Sequence, residues 1–243
     1  MRLDKFLAHT GFGTRKSVKS IIKAKQVRIN DKIAKDGKEQ VKPEVDQVFV
    51  LDEKVHYQEF IYLMLHKPQG VVSATIDNVH PTVISLLGPN EQLFDPFPVG
   101  RLDKDTEGLL LVTNDGTLAH NLLSPKKHVA KCYQATIQGI VTKEDQVEFE
   151  KGLTLNDGLL CQPAELDILE VDESQQISQI QVTIHEGKFH QVKRMFEAVD
   201  KKVTYLKRLS MGPIRLDERL DLGEYRALTE AEMDLLQGIQ KEN

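Results

Sequence analysis

The stretch Gly100-Arg101-Leu102-Asp103-Lys104-Asp105-Thr106-Glu107-Gly108-Leu109-Leu110-Leu111-Val112-Thr113-Asn114-Asp115-Gly116 changes character halfway along. Its first half is a charged loop. From Gly108 to Thr113 it becomes an apolar run of a length that suits a buried strand and falls far short of a membrane span. Thr113-Asn114-Asp115-Gly116 then reads as a turn. A rigid strand at the end of such a loop can hold Asp103 and Asp105 at the rim of a cleft. Acids in loops more often cap or solvate the chain, so the loop alone does not assign either of them a role.

Outward from this segment, strands are predicted near 61–66, 131–140, 159–170, 177–184 and 203–210, besides 108–113 itself. A helix is predicted from Lys143 to Lys151, with a capping signature at Thr142 and Asp145 and a stop at Gly152. Another begins after Thr229, with Glu232 three residues on. Short strands separated by turns, without regular βαβ alternation, point to an α+β sheet rather than a doubly wound one.

The first forty residues read as helix, helix, strand. Leu3, Phe6 and Leu7 recur at helical spacing. After Gly11-Phe12-Gly13, Thr14 is a candidate N-cap for a helix running to about Lys25, with Val18, Ile21 and Ile22 on one face. Arg15, Lys16, Lys19 and Lys23 are left on the other. Val27-Arg28-Ile29 alternates as a strand, Asn30-Asp31 turns into Lys32-Ile33-Ala34, and Val48-Phe49-Val50-Leu51 closes the unit. Residues 52–60 are polar and read as a linker.

Charge follows the same division. The whole chain carries a formal net charge of -5, which by itself argues against a nucleic-acid binder. Residues 1–42, however, hold 12 Lys/Arg against four acids, a balance of +8, so the remainder stands at -13. A basic module attached to an acidic body is the arrangement expected of a protein that needs positive charge locally. Cys132 and Cys161 form no C-x-x-C pair, and the eight histidines show no metal-ligand spacing, so neither a metal nor a redox motif is expected. The charged start, Met1-Arg2-Leu3-Asp4-Lys5, lacks the apolar core of a signal peptide; a cytoplasmic protein without membrane attachment is expected.

Three segments carry a family resemblance. The seventeen residues from Gly100 to Gly116 resemble the signature of the RsuA/RluB group of pseudouridine synthases, G-R-L-D followed by a glycine and an apolar strand. Lys131-Cys132-Tyr133 resembles the group's K-x-Y motif. Ile184-His185-Glu186-Gly187-Lys188-Phe189-His190-Gln191-Val192-Lys193-Arg194-Met195 resembles its third motif, with Lys193 where many members place arginine. Met1-Arg2-Leu3-Asp4-Lys5-Phe6-Leu7, Gly13-Thr14-Arg15-Lys16-Ser17 and Val27-Arg28-Ile29-Asn30 resemble the S4 RNA-binding domain. The resemblance implies an S4 domain over 1–58 and a larger, mixed, mainly antiparallel-sheet catalytic domain over 59–243. It implies isomerisation of an rRNA uridine to pseudouridine, without cofactor or metal.

Under that resemblance Asp103, not Asp105, is the catalytic carboxylate, as nucleophile or as base. Tyr133 stacks on the uracil, and Lys193, or failing it Arg194, is the cation paired with Asp103. His190 and Gln191 brace the loop. Arg2, Arg15, Lys16, Lys19, Lys23, Arg28, Arg101, Lys188 and Arg194 are the candidate RNA-binding residues; Lys207, Arg208 and Arg215 either extend a local basic path or are ordinary surface charge. The implied partner is rRNA or a ribosomal assembly intermediate, and the chain is taken as a monomer. The variant Gly100-Arg101-Leu102-Asp103-Lys104-Asp105-Thr106-Glu107-Gly108 looks closest to the enzymes of small-subunit (16S) rRNA, with the large-subunit (23S) type of RluB, RluE and RluF as the alternative. Two other classes compete: a non-catalytic S4-containing ribosome-binding protein, which leaves the three motifs unexplained, and a hydrolase using Asp103 with Asp105 or Asp115, in a chain that has no tryptophan for sugar stacking.

Overall fold

The computed structural model describes residues 1–55 and 57–241, with side chains through residue 238. The chain divides into two compact units, Met1–Ile61 with Leu87–Pro96, and Tyr62–Leu86 with Phe97–Asn243.

The first unit places helices α1 (Leu3–His9) and α2 (Val18–Lys23) beside strands β1 (Val27–Ile29), β2 (Lys32–Ile33), β3 (Val48–Val50) and β4 (Glu53–Val55), in the sheet order β2-β1-β3-β4. The short helix α3 (Pro89–Gln92) belongs with it. Leu3, Phe6, Leu7, Val18, Ile22, Val27, Val48 and Val50 form one core, so the helical spacing of the first seven residues and the alternation of the strands bury a common face. Two details differ from the sequence reading. The second helix begins at Val18 rather than just after Thr14; residues 15–17 form a turn in which the Thr14 hydroxyl accepts from Ser17 N at 3.2 Å. Polar residues 52–60 are not all linker, because Glu53–Val55 pairs with β3. A partner strand, not side-chain polarity, decides that segment.

The second unit is built on a nine-stranded sheet. Its main path is β13 (Tyr225–Ala227), β5 (Tyr62–Lys67), β7 (Glu107–Thr113), β11 (Lys202–Met211), β8 (Lys131–Gln138), β10 (Ile177–Ile184) and β9 (Glu165–Asp172), with β6 (Phe97–Pro98) and β12 (Ile214–Arg215) on the sides of β7 and β11. All pairings are antiparallel except β7 with β11. The chain is therefore α+β with a mixed, mainly antiparallel sheet. The predicted strand over 159–170 begins later, at Glu165.

β7 is central, and its residues from Gly108 onward are buried on both faces, which accounts for the uninterrupted Leu-Leu-Leu-Val run. Thr-Asn-Asp-Gly is more than a turn. Asp115 Oδ1 accepts from Thr117 N and Leu118 N at 2.9 and 3.0 Å, capping helix α4 (Gly116–Leu123). Helix α5 (Lys143–Lys151) carries the full capping box of Thr142 and Asp145 and ends at Gly152. Helices α6 (Gln191–Glu197) and α7 (Glu230–Lys241) complete the unit. Among the described residues no helix is long and apolar enough to cross a membrane.

Candidate active site

A cleft of about 600 Å³ opens over the sheet of the second unit, a size that admits a single nucleobase and part of its ribose. It is lined by residues of all three motifs, among them Asp103, Tyr133 and Lys193.

Asp103 stands on the loop between β6 and β7, and that loop is pinned from both sides. Ser73 Oγ donates to Leu102 O at 2.9 Å and accepts from Leu102 N at 3.0 Å. Gly70 N donates to Lys104 O at 2.8 Å. Beneath the loop lies Lys67, fully buried at the end of β5, whose ammonium donates to Pro68 O and Asp103 O at 3.0 Å and to Thr106 O at 2.9 Å. Three carbonyls use all three of its protons. Burial lowers its pKa to about 8, against the raising effect of Asp103, Asp105 and Glu107. The Asp103 backbone is thereby fixed, leaving the carboxylate to face the cleft while 28% exposed.

That carboxylate has two neighbours from the third motif. Lys193 Nζ is 3.2 Å from Asp103 Oδ2 and 2.6 Å from Asp105 Oδ1, so one ammonium bridges both acids. Burial pulls Lys193 down, but the two carboxylates outweigh it and its pKa is raised. Burial pushes Asp105 up, but the bond and charge of Lys193, with a backbone hydrogen bond and the His190 charge, together outweigh it and hold Asp105 below its ordinary value. His190 Nε2 stands 3.5 Å from Asp103 Oδ1. Arg194 turns away and pairs with Asp157 instead. Gln191 accepts from Lys188 N at 2.9 Å and donates to Glu186 Oε1 at 2.7 Å, tying the loop ahead of α6 to itself.

Tyr133 lies on β8, 7% exposed, in the floor of the cleft. The buried residues of β8 alternate, Lys131, Tyr133, Ala135 and Ile137, so these four share a face. Arg101 is exposed and Lys188 half-buried at the lining, with Lys188 paired to Glu186 at 3.0 Å.

Of the remaining candidates, Arg2, Arg15, Lys16, Lys19, Lys23 and Arg28 lie in the first unit, and Lys207 and Arg215 on β11 and β12 of the second. Arg15, Lys16, Lys19 and Lys23 are exposed. Arg2 is engaged by Asp4 through bonds of 3.0 and 2.6 Å, and Arg28 lies over the Phe49 ring at 3.9 Å, so these two are partly committed within the fold.

One assignment is overturned. Arg208 is not ordinary surface charge: it is 2% exposed, its Nε donates to Leu109 O at 2.8 Å, and it lines the cleft. Lys67 received no role from sequence, although a lysine closing an apolar strand and followed by proline was a visible signal. Lys131 was visible too, two residues ahead of Tyr133 and therefore on its face.

A family model described as RNA pseudouridylate synthase matches residues 61–198, and one described as S4 domain matches residues 1–46. The chain is 54% identical over 236 residues to an uncharacterized RNA pseudouridine synthase, YtzG, of Bacillus subtilis (strain 168), covering 97% of this chain and 98% of that one. It is 38% identical to the ribosomal large subunit pseudouridine synthase B of the same organism, over 98% of this chain and 96% of that one. It is 39% identical to the ribosomal small subunit pseudouridine synthase A of Yersinia pestis, over 96% and 97%. A crystal structure of a pseudouridylate synthase, 37% identical, superposes with a TM-score of 0.67 over 97% of this chain and 99% of that one. With its three motifs gathered at one cleft and 97% of its length matched by such a relative, the chain belongs to the RNA pseudouridylate synthase family and carries an S4 domain.

Proposed function

We propose that the chain converts a specific uridine of 16S rRNA to pseudouridine, with Asp103 as its catalytic carboxylate. The observation that carries the catalytic part is the Asp103 carboxylate held at the cleft by a fixed backbone and faced by Lys193 at 3.2 Å. Lys193 supplies a counter-charge at this distance, and the carboxylate stands where it can attack ribose or remove its proton.

Tyr133 supplies the platform. A uridine reaches the cleft only by leaving its stack, at a cost on the order of a few kcal/mol, and an aromatic ring in the floor returns part of it. Arg101, exposed at the rim, pairs with phosphate or fills the space the base leaves. Arg15 and Lys16 in the turn before α2, and Lys19 and Lys23 on it, dock the first unit to RNA backbone through charge, in a segment with little aromatic company. Such an enzyme works as a monomer where ribosomes are assembled, in the cytoplasm, on rRNA or an assembly intermediate.

The 16S target is supported by the full-length similarity to the small-subunit synthase A of Yersinia pestis. The near-equal identity to the large-subunit synthase B of Bacillus subtilis favours 23S rRNA as the second reading. Pseudouridine mapping of both rRNAs from a strain lacking the gene separates them. Loss of one site in 16S rRNA is the expected result; loss of a site in 23S rRNA alone moves the target, and loss in neither removes rRNA as substrate.

A further inference from the structure

Two cations lie in the floor of the cleft, on the sheet side and apart from the Asp103–Lys193 pair. Arg208 on β11 is directly opposite Tyr133 on β8, and directly opposed residues of neighbouring strands point to the same face. Lys131 precedes Tyr133 by two residues and shares that face. All three line the cleft, together with Ile184, opposite Lys131, and Leu206.

Neither cation is satisfied by the protein. Lys131 is 9% exposed and its Nζ donates to Val129 O at 2.9 Å, leaving two N–H bonds to place. Arg208 is 2% exposed; its Nη2 is buried without a hydrogen-bond partner. Among the described residues neither pairs with a carboxylate, and burial, with the like charge of Arg208 added, lowers Lys131 to about 8. Buried cations are ordinarily paired, and an unpaired donor costs stability. Two of them side by side make a place that is improved by electron-rich oxygen or by negative charge.

We propose that Lys131 contacts the substrate, donating to an exocyclic oxygen of the flipped uracil and, with the Arg208 charge beside it, holding the negative charge of the detached base. The proposal rests on the synthase reading above. When the C1′–N1 bond breaks, its electron pair stays on N1 and spreads over O2 and O4, where cations stabilise it. The base turns, a C5–C1′ bond forms, C5 gives up its proton and N1 takes one, so composition is unchanged. The same donors select the base. Uracil offers an acceptor at C4, whereas cytosine offers an amino group there, which a cationic donor repels.

The test uses the rRNA that wild-type enzyme converts, rebuilt by ligation with 2-thiouridine or 4-thiouridine at the target, because sulfur accepts hydrogen bonds more weakly than oxygen. Single-turnover rates are measured for wild type and Lys131→Met, with thermal melting to establish that the variant is folded. Lys131→Met is expected to slow conversion about 100-fold. One of the two thio substitutions should slow wild type and leave Lys131→Met no slower than it already is, since two changes to one contact do not add. A merely structural lysine would give thio effects of the same size in both proteins, and that result, or a Lys131→Met rate within about 3-fold of wild type, overturns the proposal. If Lys131→Met does not fold, wild type alone decides: slowing by one thio position supports the contact, and indifference to both overturns it. Wild type that converts neither rRNA defeats the synthase reading itself, and this proposal with it.

Discussion

The Lys193 ammonium stands 3.2 Å from the Asp103 carboxylate although the two residues lie far apart in the chain, on α6 and on the loop before β7. The adjacent Arg194 is committed to Asp157. Neighbours in sequence on a helix point in different directions, so only one of the two basic residues can face the cleft. Lys193→Ala should therefore lower the rate by about 100-fold or more, because the acid loses its counter-charge. Arg194→Ala should stay within a few-fold. Single-turnover kinetics on the two variants check this, and the reverse pattern would make Arg194 the partner.

Gly108 sits where β7 passes β11, with φ at +107° and its parallel partner Arg208 against it. A Cβ there would collide with the Arg208 backbone, in a conformation that side chains resist. Gly108→Ala is expected to cost about 3 kcal/mol or more. The denaturant midpoint measures it; an unchanged midpoint would mean that the two strands separate at little cost.

Arg226 holds Glu232 through two bonds of 2.8 Å, and the Glu232 pKa is lowered to about 2, chiefly by that bond. A depressed carboxylate stabilises the fold above its unfolded pKa, near 4.5, and that contribution is lost as pH falls from there toward 2. Wild type should lose stability over this window, and Glu232→Gln should lose less of it. Equal slopes of stability against pH in the two proteins would contradict the assignment.

Lys16, Lys19 and Lys23 are exposed on the first unit. If each meets a phosphate of single-stranded RNA, changing all three to alanine should reduce the slope of log affinity against log salt by about 2. Affinity titrations across salt concentration show it, and an unaltered slope would place the RNA elsewhere.

Much of this molecule was legible from sequence where a local cause sufficed. The Gly108–Thr113 run announced a buried strand, and Thr142 with Asp145 announced the start of α5. The motifs placed Asp103, Tyr133 and Lys193 as candidates, and the fold brings them to one cleft. What sequence left obscure depends on distant partners. Glu53–Val55 is a strand because β3 lies beside it, and Lys67 is buried because three carbonyls, two of them from the Asp103 loop, receive its protons. Arg208 looked like surface charge because nothing within β11 indicates that its neighbours, β7 and β8, cover it.

The most direct test is Asp103→Asn, which keeps the shape and removes the charge. In a single-turnover assay of tritium release from 5-tritiated uridine in rRNA, the variant should show no release, while its RNA affinity stays within a few-fold of wild type. Release at a rate near that of wild type would contradict the central claim and take the chemistry away from Asp103.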